Sequence, residues 1–369
     1  MKLILIIIFA LVSFVAQSQE LTKQQIAQVL KNYISGTSFN EPSLIKSAFS
    51  KDAQLLLDKK GQETWLVHPN EYASWFKNNK GQFNGRIGEI LSIDVEGNVA
   101  TAKVEILLPA NTKRYVDVFL LKKLSSGWKI TSKNAASEES NKNGERILFI
   151  VSNAHFHGNS DLPTGVSFSE IVKAYDIFQK AGFTVDFISP EGGAIPLAYI
   201  NTSEKIHKQY LYNTNFMYAI GHTKSPSQID PTNYVAVHYV GGGNAMYGVA
   251  DNEAIQNIVM TIYEDNNGIV SSVCHGTAGI VNLQTKDGKY LVDGKRISGY
   301  PEAYENQSKA YFKEFPFLIQ KTIEQRGGRF FYSEMNTPHI EVDGRIVTGQ
   351  NHLSSPLVAQ KMVEMLDGR

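Results

Sequence analysis

The chain contains one cysteine, Cys274, followed directly by a histidine in the run I-V-S-S-V-C-H-G-T-A-G over residues 269–279. An apolar, β-branched segment that stops at Cys274-His275 and gives way to small residues reads as a buried parallel strand turning sharply into a helix. Such a turn holds a side chain proud of the sheet's carboxyl edge, and its tight backbone suits the small Gly276, Ala278 and Gly279 behind it. The unpaired N–H groups and the positive dipole end of the following helix favour thiolate over thiol. A sulfur in that setting is a nucleophile, and His275 beside it can move a proton near neutral pH. A lone cysteine is more often an inert core residue; the strand, the Cys-His pair and the Gly-x-Ala-Gly behind it together favour catalysis.

A second glycine-rich turn, V-G-G-G-N-A-M over residues 240–246, also follows an apolar strand. The amides of Gly242, Gly243 and His275 are therefore candidates to receive an oxyanion. His155 and His157 form an H-x-H just past another strand, but no third ligand stands at a convincing spacing, so the expectation is no metal. His68 precedes Pro69 in a turn and reads as a surface loop residue. No dinucleotide fingerprint is found, and no cofactor is expected.

The elements that position these residues fall into two domains behind a leader. Residues 1–18 combine Lys2, the apolar run Leu3–Val15 and the small-x-small site Ala16-Gln17-Ser18. The run is too short to span a bilayer, so it is expected to be a cleaved secretory signal. That predicts a secreted or periplasmic protein with no membrane attachment after cleavage. Export with a single unpaired thiol suggests that the thiol is kept for chemistry. Lys+Arg and Asp+Glu both number 36, which leaves no basic excess to recruit nucleic acid.

The chain is longer than one core usually accommodates. Residues 20–134 read as an α+β domain. Ile26, Val29, Leu30 and Tyr33 share a helix face, and Leu44, Ile45, Ala48 and Phe49 share a second. The period then changes to two, with Ala100, Ala102, Val104, Ile106 and Leu108 alternating with polar residues along an antiparallel strand. Tyr115–Leu124 and Trp128–Ser132 continue the sheet. Residues 135–145 carry no apolar side chain larger than alanine and are expected to be a linker. From 146 to 369, apolar strands at Ile147–Val151, Val185–Ile188, Tyr234–Val240 and Ile269–Cys274 alternate with helices at Phe168–Ala181 and Ala254–Tyr263. That alternation predicts a doubly wound, mostly parallel α/β sheet. Tyr290–Ile297 reads as a hairpin, and Pro356–Leu366 as a closing helix with Ser355 as its N-cap.

Two resemblances refine this. The order helix, helix, curved hairpins, ending in G-W-K-I-T, resembles the cone fold of nuclear transport factor two and the SnoaL-like proteins. It is most similar to the secreted group labelled "putative lumazine-binding". That implies a binding module or a dimerisation module, and the second of these would make the chain a homodimer. G-I-V-S-S-V-C-H-G at 268–276 resembles the nucleophile elbow of the ThiJ/PfpI superfamily, the class I glutamine amidotransferase-like fold. T-G-V-S-F-S-E at 164–170 resembles the stretch that delivers its acidic residue. A-G-F-T-V-D-F-I-S-P-E-G-G at 181–193 and E-V-D-G-R-I-V-T-G-Q-N at 341–351 fit the stress-chaperone and glyoxalase III branch. The resemblance implies a catalytic set of Cys274, His275 and Glu170. On its own, Glu170 would read as a solvated carboxylate in a helix's first turn. In contact with the sulfur it would share one proton with it. The chain departs from the branch at Gly243, where Gly-Gly-His-Gly would have its histidine, and at His352, where a proline is usual. His339 is similar to the distant histidine of the amidotransferases but reads as structural.

The function expected is a cysteine-dependent enzyme of the glyoxalase III or deglycase type, needing no cofactor and taking a small 2-oxoaldehyde such as methylglyoxal. A non-enzymatic thiol redox sensor or stress-protective binding protein is one alternative, and a cysteine amidase or peptidase a second.

Overall fold

The computed structural model describes residues 21–369 apart from Lys60; the expected leader over 1–18 lies outside the described residues. The chain divides into two compact units at Gly144/Glu145.

In the first unit a helix over residues 21–38 buries Ile26, Leu30 and Tyr33, and the short helix Pro42–Ala48 buries Ile45 and Ala48. Six strands form one curved sheet in the order Gln62–Val67, Phe49–Lys59, Gly127–Glu139, Lys113–Leu124, Val99–Leu108, Ile87–Glu96. Alternation along Val99–Leu108 turns Ala100, Ala102, Val104 and Ile106 inward beneath the helices. The sheet is antiparallel except where Phe49–Lys59 lies parallel to Gly127–Glu139. Inside the cone, Tyr33 Oη donates to Asp117 Oδ2 at 2.6 Å and Lys133 Nζ pairs with Asp117 Oδ1 at 2.8 Å. A buried charge is tolerated when it is paired and hydrogen-bonded in this way. His68 is exposed, ahead of the helix Pro69–Ser74.

The expected linker is shorter than its composition suggested. The last strand continues through residues 135–139, pairing Ala135 with Asp117 and Glu139 with Lys113, and Arg114 bridges Glu105 and Glu138. Cross-strand pairing and charge made a strand of a segment with little to bury.

The second unit is built on a six-stranded sheet in the order Ile340–Asp343, Ile346–Gly349, Ile269–Val273, Ala236–Tyr239, Arg146–Ile150, Thr184–Ile188. All pairs are parallel except the first. Because strand side chains alternate, the sheet makes two cores. Ile147, Phe149, Ala236, Ile269 and Val347 face the helices Phe168–Lys180 and Ser355–Asp367. Leu148, Ile150, Val237, Tyr239 and Val270 face the helix Glu253–Glu264. Two local expectations are corrected. Residues 290–297 form no hairpin, because Arg296–Ile297 pairs in parallel with Arg329–Phe330. The last helix starts at Ser355, with Ser354 before it, and Ser355 Oγ instead donates to the Glu170 carbonyl at 2.9 Å. No helix among the described residues is long and apolar enough to cross a membrane.

Candidate active site

Cys274 follows the strand Ile269–Val273 without a loop and takes φ 56°, a left-handed conformation that non-glycine residues seldom adopt. Gly276 is obligatory behind it: a Cβ there would lie 2.5 Å from the Tyr239 carbonyl oxygen. The turn Cys274–Ile280 is a 3₁₀ helix. The sulfur is buried, with the residue only 8 % exposed.

Three side chains serve it. His275 Nδ1 is 3.5 Å from Sγ, within reach for a contact to sulfur. The other ring nitrogen, Nε2, lies 2.6 Å from Glu305 Oε1, and Tyr311 Oη donates to Glu305 Oε2 at 3.0 Å. With Glu305 accepting from Nε2–H, Nδ1 is the nitrogen free to take the thiol proton. Tyr300 stacks on the imidazole at 4.7 Å between centroids and Phe315 meets its face at 5.7 Å, so the ring is clamped.

Glu170 comes from the first turn of Phe168–Lys180, where Ser167 caps the helix by accepting from the Glu170 amide at 3.4 Å. The spacing Ser167 to Glu170 is that of a capping box, in which the acid would reach back to the cap amide. Here the Ser167 amide donates to the Gly241 carbonyl instead, and Glu170 Oε2 accepts from the Gly241 amide at 2.8 Å. The carboxyl is also within the electrostatic reach of the Cys274 sulfur. Gly241 is the spacer between them: a Cβ there would lie 2.5 Å from Glu170 Oε2 and 2.9 Å from Cys274 Cβ.

Burial pushes Glu170 up to about 8, against smaller opposing effects of the Gly241 amide and the Cys274 thiol, so it is protonated at neutral pH. Burial also pushes the thiol up, and Glu170, once ionised, adds to this, while the His275 amide pulls it down. The expected preformed thiolate is thus corrected. A single short 3₁₀ turn cannot offset the loss of water around the sulfur. The resting pair is thiol and carboxylic acid.

The family model described as "DJ-1/PfpI family" matches residues 162–365, more than half of the chain and all four of these side chains. The chain belongs to the DJ-1/PfpI family. A second model, "Putative lumazine-binding", matches residues 22–134, the cone unit. This DJ-1/PfpI chain is 28 % identical over 222 residues to the "Probable glutathione-independent glyoxalase HSP32" of Saccharomyces cerevisiae, covering 56 % of this chain and 92 % of that one. It is 28 % identical over 212 residues to "Glyoxalase 3" of Candida albicans, covering 54 % of this chain and 89 % of that protein. The crystal structure of glyoxalase III from Candida albicans superposes with a TM-score of 0.54 at 26 % identity, over 60 % of this chain and 96 % of that chain.

Within the DJ-1/PfpI unit, Cys274, His275 and Glu170 come together as a set. The glycine-rich turn also reaches them: Gly242 takes φ 110° and precedes the 3₁₀ turn Gly243–Met246, whose first amides have no partner within the turn. The His275 amide, a candidate for the oxyanion, acts instead on the sulfur and favours its ionisation. His339 lies in a separate relay, with Nδ1 2.8 Å from Ser333 Oγ and Nε2 2.9 Å from Glu341 Oε1. Glu341 also pairs with Arg296 at 2.7 Å. His352 is exposed, as is His155. His157 is not a loose half of an H-x-H pair; its ring is tucked against Tyr247 and Tyr311.

Glu305 is the residue that sequence reasoning missed. It lies thirty residues beyond His275 in P-E-A-Y-E-N, at no diagnostic spacing. The density of aromatic residues over 300–317 was the one compositional hint that this loop closes over something.

Proposed function

We propose that the second unit is a cysteine-dependent, cofactor-independent glyoxalase of the glyoxalase III type, acting on small 2-oxoaldehydes such as methylglyoxal. The observation that carries this is the Cys274–His275–Glu305 relay, with the buried Glu170 across Gly241 from Cys274. The names of the relatives support the same substrate class.

The chemistry follows from the proton positions. His275 takes the thiol proton as Sγ adds to the aldehyde carbon, giving a hemithioacetal whose new oxygen receives that proton. The neutral His275 then removes the C1 proton to give an enediolate. The C1 hydroxyl proton passes to the C2 oxygen, and the proton held by His275 is returned to C2, which leaves the thioester of the 2-hydroxy acid. Water cleaves the thioester and regenerates the thiol. Oxidation at C1 balances reduction at C2, so no external electron carrier enters. Glu305 accepts from Nε2 throughout and stabilises the imidazolium. Glu170, as an acid, donates to the sulfur and remains uncharged while the thiolate exists, which avoids two adjacent anions. Gly242 and Gly243 offer amides to the developing oxyanion.

The sensor reading fits less well. Sensor thiols are exposed and of low pKa, whereas Cys274 is buried and its thiol is raised. Amide hydrolysis by the same thiol would use the same relay and is separated by substrate alone. Export by a cleaved leader is part of the proposal, on the pattern of residues 1–18.

The deciding experiment is D- or L-lactate formation from methylglyoxal by the purified chain beside Cys274→Ala. Product from the wild type and none from the folded variant supports the reading. A wild type without product, or a variant that retains it, overturns the reading.

A further inference from the structure

Gly243 is not an open gap in the site. A Cβ built there would lie 2.8 Å from His157 Cε1 and 3.4 Å from His157 Nε2, with Thr164 Oγ1 at 2.7 Å. An imidazole carried by a different loop, after the strand Arg146–Ile150, already fills the space that a side chain on residue 243 would take.

That imidazole is held and aimed. Its Nδ1 is 3.3 Å from Tyr247 Oη, and its ring packs at 5.9 Å from Tyr247, 5.3 Å from Tyr311 and 6.2 Å from Phe315. Two of those rings belong to the relay: Phe315 also meets His275, and Tyr311 donates to Glu305. Tyr247 is pushed up to about 12 by burial, so it remains a phenol, with a proton to donate to Nδ1 in the tautomer that leaves Nδ1 bare. The proton of a neutral His157 is then on Nε2, the nitrogen turned toward the glycine turn beside Cys274. Burial, and secondly the nearby His275, hold His157 below the usual histidine range, whereas Glu305 and Glu314 pull the other way. A neutral imidazole that donates a hydrogen bond polarises a carbonyl without carrying a full charge into the site.

We infer that His157 is a second catalytic histidine of this site, donating from Nε2 to the substrate oxygen on C2 while His275 works at C1. The inference rests on the glyoxalase reading above. As His275 removes the C1 proton, the electron pair moves into the C1–C2 bond and the C2 carbonyl becomes an enediolate, whose oxygen His157 holds by a hydrogen bond from Nε2. The C1 hydroxyl proton passes to that oxygen, the proton held by His275 goes to C2 and C1 closes to the thioester carbonyl, so His157 keeps its own proton and stays hydrogen-bonded to the C2 hydroxyl.

The test is a set of variants assayed on methylglyoxal, with iodoacetamide alkylation of Cys274 measured alongside. His157→Ala should lower kcat by about 10²-fold, the usual worth of a positioned donor, with KM changed by less than about threefold. Its alkylation rate should match the wild type, because the thiol relay is intact. Gly243→His alone should lose activity, since the two rings compete for one volume. In Gly243→His/His157→Ala the imidazole returns from the other loop, and turnover should rise at least about tenfold above His157→Ala. If His157→Ala keeps kcat within about twofold of an active wild type, or the double variant shows no recovery while folded, the role of His157 is overturned. An inactive wild type overturns the glyoxalase reading itself, which is a different outcome from either.

Discussion

His275 Nε2 and Glu305 Oε1 are 2.6 Å apart, joining a residue of the elbow to a loop thirty positions further along the chain. The contact fixes which ring nitrogen carries the proton, and therefore which faces the sulfur ready to accept. Glu305→Ala should leave Cys274 and its turn in place but free the ring to rotate and change tautomer. The expected outcome is a fall in kcat of about 10²-fold or more with little change in thermal midpoint. Steady-state lactate formation and a melting curve check both halves.

Glu170 makes stability depend on pH in a stated direction. Its ordinary value is 4.5 and burial raises it to about 8 in the folded chain. Between those values the folded state holds a proton that the unfolded state has released, so stability falls as pH rises from 4.5 to about 8. Glu170→Gln removes that proton exchange. The variant should therefore gain on the wild type steadily across this window, as read from denaturant midpoints at several pH values. Parallel curves would show that Glu170 is not buried as an acid.

The thiol itself should behave as a raised group. Iodoacetamide should alkylate Cys274 slowly at pH 7 and faster as pH rises beyond the ordinary cysteine range, without the early plateau of a preformed thiolate. His275→Ala should slow alkylation further by removing the proton acceptor at 3.5 Å. Rapid, pH-independent labelling near neutrality would contradict the buried, protonated thiol.

Gly241 separates the acid from the sulfur with no room to spare. Gly241→Ala would press on Glu170 Oε2 at 2.5 Å, the Val273 carbonyl at 2.8 Å and Cys274 Cβ at 2.9 Å. Two of these neighbours are the elbow's own backbone and Cβ, which cannot swing away. A loss of about 1–3 kcal/mol in unfolding free energy is expected, together with a displaced Glu170 and an altered pH dependence of alkylation.

Limited proteolysis should cut between Glu139 and Arg146, not upstream. Residues 135–139 are held in the sheet against residues 113–117, and the units divide at Gly144/Glu145. Two fragments with ends inside 140–145, read by mass spectrometry, are the expected result. Cleavage at 134–138 in the native chain would contradict the strand pairing.

Much of this was legible in the sequence because it depended on local order. The apolar runs with period-free burial marked the parallel strands, and the change from a 3.6 to a 2.0 period marked the cone's helices and hairpins. Cys274 and His275 are neighbours in the chain, and the small residues after them announce a turn that admits no bulk, so the elbow could be read without coordinates. The closing strand of the cone was misread at 135–139 because its stability comes from partners twenty residues away, not from its own apolar content. Glu305 was invisible for the same reason: nothing in its neighbourhood encodes the ring it would meet. The thiol's protonation was decided by burial, which no spacing reports. Gly243 carried the sharpest difference. In sequence it is a missing side chain, whereas in the fold His157, from a loop some ninety residues earlier, fills its volume. Chain order specifies which groups are adjacent along the backbone; only the folded sheet, by bringing the carboxyl ends of separate strands together, decides which groups share water, protons and space.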